Sequence, residues 1–168
     1  MGRLVAMAGL AGLVVGCAAG RPGTEARPIV VPGKAYRVVP PPGWERIDTD
    51  ADVALRRPAI EAGLMAHGTC EGKTPQRTLP VLARHLRFGL REVQKMEETP
   101  VELAGLPGVR SRFTARLDGT PVAVAAVTLE GRGCVYDLVV VAPPERLAVA
   151  SEDFERFAAS FQLTEEHR

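Results

Sequence analysis

The chain has 168 residues, with 21 basic and 20 acidic side chains and a net charge of +1 at pH 7. So even a balance removes the global electrostatic case for nucleic acid as a partner, and 5% aromatic residues leave little for a single-strand stacking platform. A hydrophobic content of 46% is ample for a core, and the length is that of one domain once a leader is removed.

Residues 1–16 read as an export leader. Arg3 precedes an uncharged apolar run from Leu4 to Val15. The run is shorter than the ~20 residues of a membrane span and lies within the roughly 7–15 of a signal-peptide core. It closes on Val14-Val15-Gly16-Cys17, small residues before a cysteine, which is the pattern of a bacterial lipobox. Cleavage before Cys17, then diacylation and amine acylation of that residue, is expected to anchor the protein stably. Two or more chains exceed the marginal hold of one, at ~0.8 kcal/mol per buried CH₂. The alternative is an ordinary secretory leader whose cysteine is incidental; both export the chain. Ala18 rather than Asp follows Cys17, which favours the inner leaflet of the outer membrane, facing the periplasm. Residues 17–34 carry Gly, Pro and charge without periodicity and read as a flexible tether, kept extended by Pro22, Pro28 and Pro32.

One globular domain is expected over residues 35–164, with residues 165–168 a frayed tail. Tyr36–Val39 reads as a strand stopped by Pro40-Pro41-Pro42-Gly43, and Trp44 after that turn reads as a core residue. Val53–Arg56 and Leu64–Cys70 read as further strands. Thr78 to about Val93 is predicted as a helix, with Thr78 the N-cap, Pro80 in the first turn and Leu79, Leu82, Ala83, Leu86 and Leu90 the buried stripe. Arg84, Arg87 and Arg91 would share another face. Extended segments follow near Glu97–Leu106 and Val109–Leu117. In the second, apolar or small residues alternate with Arg110, Arg112, Thr114 and Arg116. Asp118-Gly119 predicts a hairpin turn, Val122–Leu129 the returning strand, and Glu130–Gly133 another turn. Cys134–Val141 is apolar on both faces and reads as a central strand. Pro143-Pro144 ends the sheet, and a last helix is predicted from Ser151 as N-cap. Its stripe is Phe154, Phe157, Ala158 and Phe161, with Glu152 and Asp153 at the positive helix end.

Strands, helix, antiparallel meander and helix together predict an α+β domain, a mostly antiparallel sheet packed by two helices. Setting Cys17 aside leaves Cys70 and Cys134. In an exported chain such a pair predicts a disulfide, two free buried thiols being the alternative.

The pattern resembles the PsbP-like family. The likeness is carried by Tyr36–Val39 followed by Pro42-Gly43-Trp44, by Leu103-Ala104-Gly105 leading to the Leu117-Asp118-Gly119 hairpin, by Val135-Tyr136-Asp137-Leu138, and by Phe154, Phe157 and Ser160-Phe161 at the end. It covers most of Tyr36–Leu163. The stretch from Cys70 through the Leu-rich helix also resembles bacterial lipoproteins of this type. The resemblance implies an α/β/α sandwich and a binding or assembly scaffold that holds partners. It carries no photosynthetic role to this chain, and no ion-binding motif of the family falls on these residues.

No metalloprotease, nucleophile-elbow or phosphate-loop motif occurs, and no enzyme, metal or cofactor is expected. Of the three histidines, His167 lies in the tail. A serine site built from Ser111, His67 and Asp137 is not required by any spacing. His67 and Cys70 lie three apart on a strand and point to opposite faces. Asp137, in an apolar strand, needs a buried partner, and the Arg110, Arg112 and Arg116 row is one candidate. That row and the Arg84, Arg87 and Arg91 row are candidate contacts for anionic headgroups or an acidic partner, with a solvated face as the alternative. The expected function is a membrane-anchored, non-enzymatic module binding an envelope protein partner during assembly or maintenance. The alternative is a carrier holding a lipid or other apolar ligand between helix and sheet.

Overall fold

Four consecutive strands are joined by three two-residue turns, and each turn ends in glycine. Strand β6 (Arg91–Leu103) passes into β7 (Leu106–Leu117) through Ala104-Gly105, β7 into β8 (Thr120–Gly131) through Asp118-Gly119, and β8 into β9 (Cys134–Ala142) through Arg132-Gly133. Both residues of every turn have positive φ, from 49° at Asp118 to 81° at Gly119. This backbone matches the right-handed twist of the flanking strands, and glycine at the second position adopts it without steric cost. The Ala104-Gly105 turn was not expected; its Ala enters the left-handed region, where no Asn or Asp marks it.

The structure, a computed structural model, describes residues 27–70 and 79–165. The leader, Cys17, Thr78 and His167 lie outside the described residues. Upstream of the meander stand β1 (Ile29–Val31), β2 (Tyr36–Val38), β3 (Glu45–Arg46), β4 (Val53–Arg57), β5 (Ala62–Cys70) and helix α1 (Leu79–Ala83). Downstream are α2 (Leu147–Ala159) and β10 (Gln162–Leu163). Seven strands make one sheet in the order β3-β4-β5-β9-β8-β7-β6, so the apolar β9 is its middle strand. Every pairing is antiparallel. A small sheet, β1-β2-β10, ties the two ends of the domain together, and the Thr164 amide adds a bond of 2.8 Å to the Ala35 carbonyl.

Each face of the large sheet carries one helix. On one face Leu55, Leu64, Val127, Leu129, Tyr136, Leu138 and Val140 meet Phe154, Phe157 and Phe161, with Tyr36, Val38 and Trp44 closing the layer. The rings of Tyr36 and Phe161 stack with centroids 5.5 Å apart, and Tyr136 meets Phe161 edge-on at 5.3 Å. On the other face Phe113, Val122, Val124, Ala126 and Val139 are covered by Met65, Leu86, Leu90, Val93 and Met96. The period of two in β7 to β9 makes both layers from one set of strands.

Three expectations are corrected. The helix from Thr78 to Val93 is only α1 and a 3-10 turn at Arg84–Arg87. Gly89 then reverses the chain at φ +82°, and Arg91 already pairs with Arg116 in β7. Leu86, Leu90 and Val93 still point inward, but from a turn and a strand, because an edge strand offers backbone partners that a short helix lacks. The tether stops early: Ile29–Val31, within residues 17–34, is strand β1 pairing with β2. The last helix begins at Leu147, not at Ser151. Pro144 occupies the first position of a 3-10 turn that runs into it, so the proline that ends the sheet also starts the helix.

Candidate functional site

Register places His67, Thr128 and Asp137 side by side on β5, β8 and β9, on the face that carries α1. Asp137 is buried, at 3% exposure. A bare carboxylate there would be costly, and its two oxygens are both used. The Thr128 hydroxyl donates to Oδ1 at 2.7 Å, and His85 Nε2, from the 3-10 turn after α1, lies 2.7 Å from Oδ2. His85 Nδ1 faces the Leu82 carbonyl. With an acceptor at each nitrogen only the doubly protonated ring satisfies both. The hydrogen bond to Asp137 accordingly raises the His85 pKa above its ordinary 6.5, against the opposing effect of burial.

This arrangement corrects the expected partner of Asp137. The arginines of β7 point to the other face: Arg110 binds Glu155 of α2, with its second nitrogen at 3.0 Å. Arg116 binds Glu92 at 3.1 Å and the Gly119 carbonyl at 2.7 Å. Nor is a serine site assembled. The Asp137 carboxylate is occupied, His67 Nδ1 stands 3.7 Å from Asp52, and the buried Ser111 hydroxyl has no hydrogen-bond partner among the described residues.

Two further carboxylates, buried Asp153 and half-buried Asp52, were not singled out in the sequence as polar centres. Asp153 lies on the inner face of α2, not at its positive end. It accepts from Trp44 Nε1 at 2.9 Å, Arg57 at 2.5 Å and Arg156. Burial alone would raise its pKa, but these three donors outweigh it and hold the carboxyl below its ordinary value. Its position between Ala150 and Phe154 in the apolar stripe was the available signal. Asp52, before β4, accepts from Lys34 Nζ at 2.7 Å, the Gly68 amide at 2.7 Å and the Tyr36 hydroxyl at 3.0 Å. These donors likewise overcome burial and lower its pKa. Burial first, then the neighbouring Asp52 charge, pushes the Tyr36 phenol up. No sequence pattern announces this cluster, since its members meet only through register.

Cys70 and Cys134 are bonded across β5 and β9, where they stand directly opposite. The bond borders an open groove of about 300 Å³ lined by Lys34, Arg132 and Tyr136. Of the other arginine row, Arg87 pairs with Glu98 at 3.3 Å. Arg84 and Arg91 are exposed and make no ion pair among the described residues. No group of three His, Cys, Asp or Glu side chains that could hold a metal occurs among the described residues.

No family model and no curated protein sequence matches the chain. Solved structures do. The solution structure of cyanobacterial PsbP (CyanoP) from Synechocystis sp. PCC 6803 superimposes with a TM-score of 0.65 at 16% identity, over 89% of this chain and 98% of that one. This chain has the PsbP-like fold. LpqN of Mycobacterium tuberculosis, described as involved in cell envelope biogenesis, matches with a TM-score of 0.61 at 14% identity, over 85% of this chain and 87% of that one. On this PsbP-like frame Asp52, Asp137 and Asp153 are all bound by donors of the chain itself. Their chemistry here is to lock helices and strands to the sheet.

Proposed function

We propose that the chain is an envelope lipoprotein, anchored through Cys17, that works as a non-enzymatic module holding a protein partner during assembly or maintenance of an envelope complex. The observation that carries the reading is the internal use of Asp52, Asp137 and Asp153. Each is held by donors of the same domain: Asp137 and Asp153 are buried, and Asp52, which borders an open surface pocket beside Thr49, has both oxygens engaged, so none is left free as the acid or base an active site requires. The lipobox at residues 14–17 and the envelope role described for the like-folded LpqN support the location. The inner leaflet of the outer membrane is the assignment that Ala18 favours.

The carrier alternative needs space between helix and sheet. Phe154, Phe157 and Phe161 fill that layer against Leu138 and Val127, all at 1% exposure or less. The test is photo-crosslinking in the producing bacterium, followed by native mass spectrometry of the purified protein. A discrete envelope protein crosslinked to the domain is the expected result. A stoichiometric lipid retained by the protein, with no crosslinked partner, overturns the module in favour of the carrier.

A further inference from the structure

Of the five phenylalanines, four are buried, Phe113 at 2%, Phe154 and Phe157 at 0% and Phe161 at 1%, whereas Phe88 is 97% exposed. Its exposure is built in by its neighbours. Leu86 and Leu90 on either side pack into the sheet-face cluster, and Gly89 turns the chain at φ +82° between them. The element is held down from behind, since His85 binds the buried Asp137. Phe88 is therefore the apex of an anchored turn. Beside it stand exposed Arg84 and Arg91, which have no ion-pair partner among the described residues; Arg87 is occupied by Glu98.

We infer that the Arg84–Arg91 turn is a membrane-docking tip, which inserts Phe88 into the headgroup layer of an anionic phospholipid bilayer while Arg84 and Arg91 contact lipid phosphates. A lone aromatic on a convex tip suits insertion into a soft interface, because a protein partner needs a broad complementary patch around its anchor. Ring burial and arginine–headgroup attraction act on the same few residues. The acyl anchor of the proposed function supplies proximity. Residues 18–28, at ~3.3–3.6 Å each, reach ~35 Å or more when fully extended, about the width of such a domain. The tip inference rests on that anchor only for the choice of membrane, and the test separates the two.

The full-length gene product carrying Phe88→Trp is isolated as the cell makes it, and intact mass reads whether Cys17 is acylated. It is mixed with vesicles of brominated phosphatidylglycerol or brominated phosphatidylcholine, and the unsubstituted protein, with its buried Trp44, serves as blank. The expected result is quenching of the indole at position 88 on phosphatidylglycerol and little on phosphatidylcholine. Adding Arg84→Gln and Arg91→Gln lowers the ratio of tip-bound to tip-free protein roughly 25-fold, about fivefold for each arginine. Far-UV circular dichroism checks that these exposed substitutions leave the fold intact. An indole left unquenched on phosphatidylglycerol, while the acylated protein stays on the vesicles, overturns the inference and leaves the anchor standing. Equal quenching on both lipids also overturns it.

Discussion

His85 and Asp137 join the two layers of one face: a ring on the turn after α1 and a carboxylate on the middle strand β9 lie 2.7 Å apart. The pair is 52 residues apart in sequence. Because the pKa of His85 is raised, its contribution to stability is complete below the unfolded value near 6.5 and is lost as pH rises through the raised folded value. Melting temperatures followed from about pH 6 to about pH 9 should therefore fall more in the native protein than in His85→Gln. Asp137→Ala should lose about 1–3 kcal/mol at neutral pH by stranding the buried Thr128 hydroxyl. Equal alkaline slopes for native and His85→Gln protein would remove the pair from the account.

Asp153 ties α2 to the β4 end of the sheet. Asp153→Ala strands the buried Trp44 indole N–H, while the part-exposed Arg57 turns to solvent, and should cost about 1–3 kcal/mol. Trp44→Phe keeps most of the packing and should cost about 1–2 kcal/mol. Urea unfolding of the two variants measures both.

Asp52 and Asp153 have lowered pKa values. Their contribution is complete above the unfolded value of 3.8 and is lost as pH falls through the lower folded values. Acid unfolding should thus set in below that value, and Asp52→Asn with Asp153→Asn should flatten the acid limb. An unchanged acid midpoint in the double variant would mean that other carboxylates control it.

The Cys70–Cys134 bond closes a loop across 64 residues. Replacing both by Ala should cost up to ~4 kcal/mol on the chain-entropy scale. The measurement is the denaturant midpoint of the variant beside that of the native protein under oxidising and reducing conditions. Reduction should lower the native midpoint and leave the variant unmoved.

Gly108 has no room for a side chain. A Cβ there would lie 2.6 Å from Leu129 Cδ2 and 2.7 Å from the Thr128 carbonyl oxygen. The second contact is backbone and cannot swing away, so Gly108→Ala should lose about 1–3 kcal/mol by overpacking. Gly63, with open space around its Cβ position, is the control: Gly63→Ala should change the thermal midpoint little.

The local code was strong where one strand or one turn decided the outcome. The alternation of Val109 to Leu117 and the Asp118-Gly119 turn predicted β7 and its hairpin; the turn and the Leu117 end stand where expected, while β7 starts three residues earlier, at Leu106, and β8 runs two residues further at each end than Val122–Leu129. The Phe154, Phe157, Ala158 and Phe161 stripe is fully inside. The segment from Arg84 to Val93 misled because its leucines fit both a helix and a turn leading to a strand. The choice was made by β7, whose open edge gave Arg91 and Gln94 backbone partners.

By itself, then, the sequence determined the α+β class, the strands from Val109 onward, the closing helix stripe, the apolar centre at β9 and the two cysteines available for one bond, because those follow from side-chain periodicity and composition along a short stretch. Only the tertiary structure decided who partners the buried charges. Asp137 chose His85 over the arginines of β7, and Asp153 chose Trp44 and Arg57. The physical reason is that strand register and the face taken by each residue set those distances, and both are fixed by long-range pairing that no local pattern encodes.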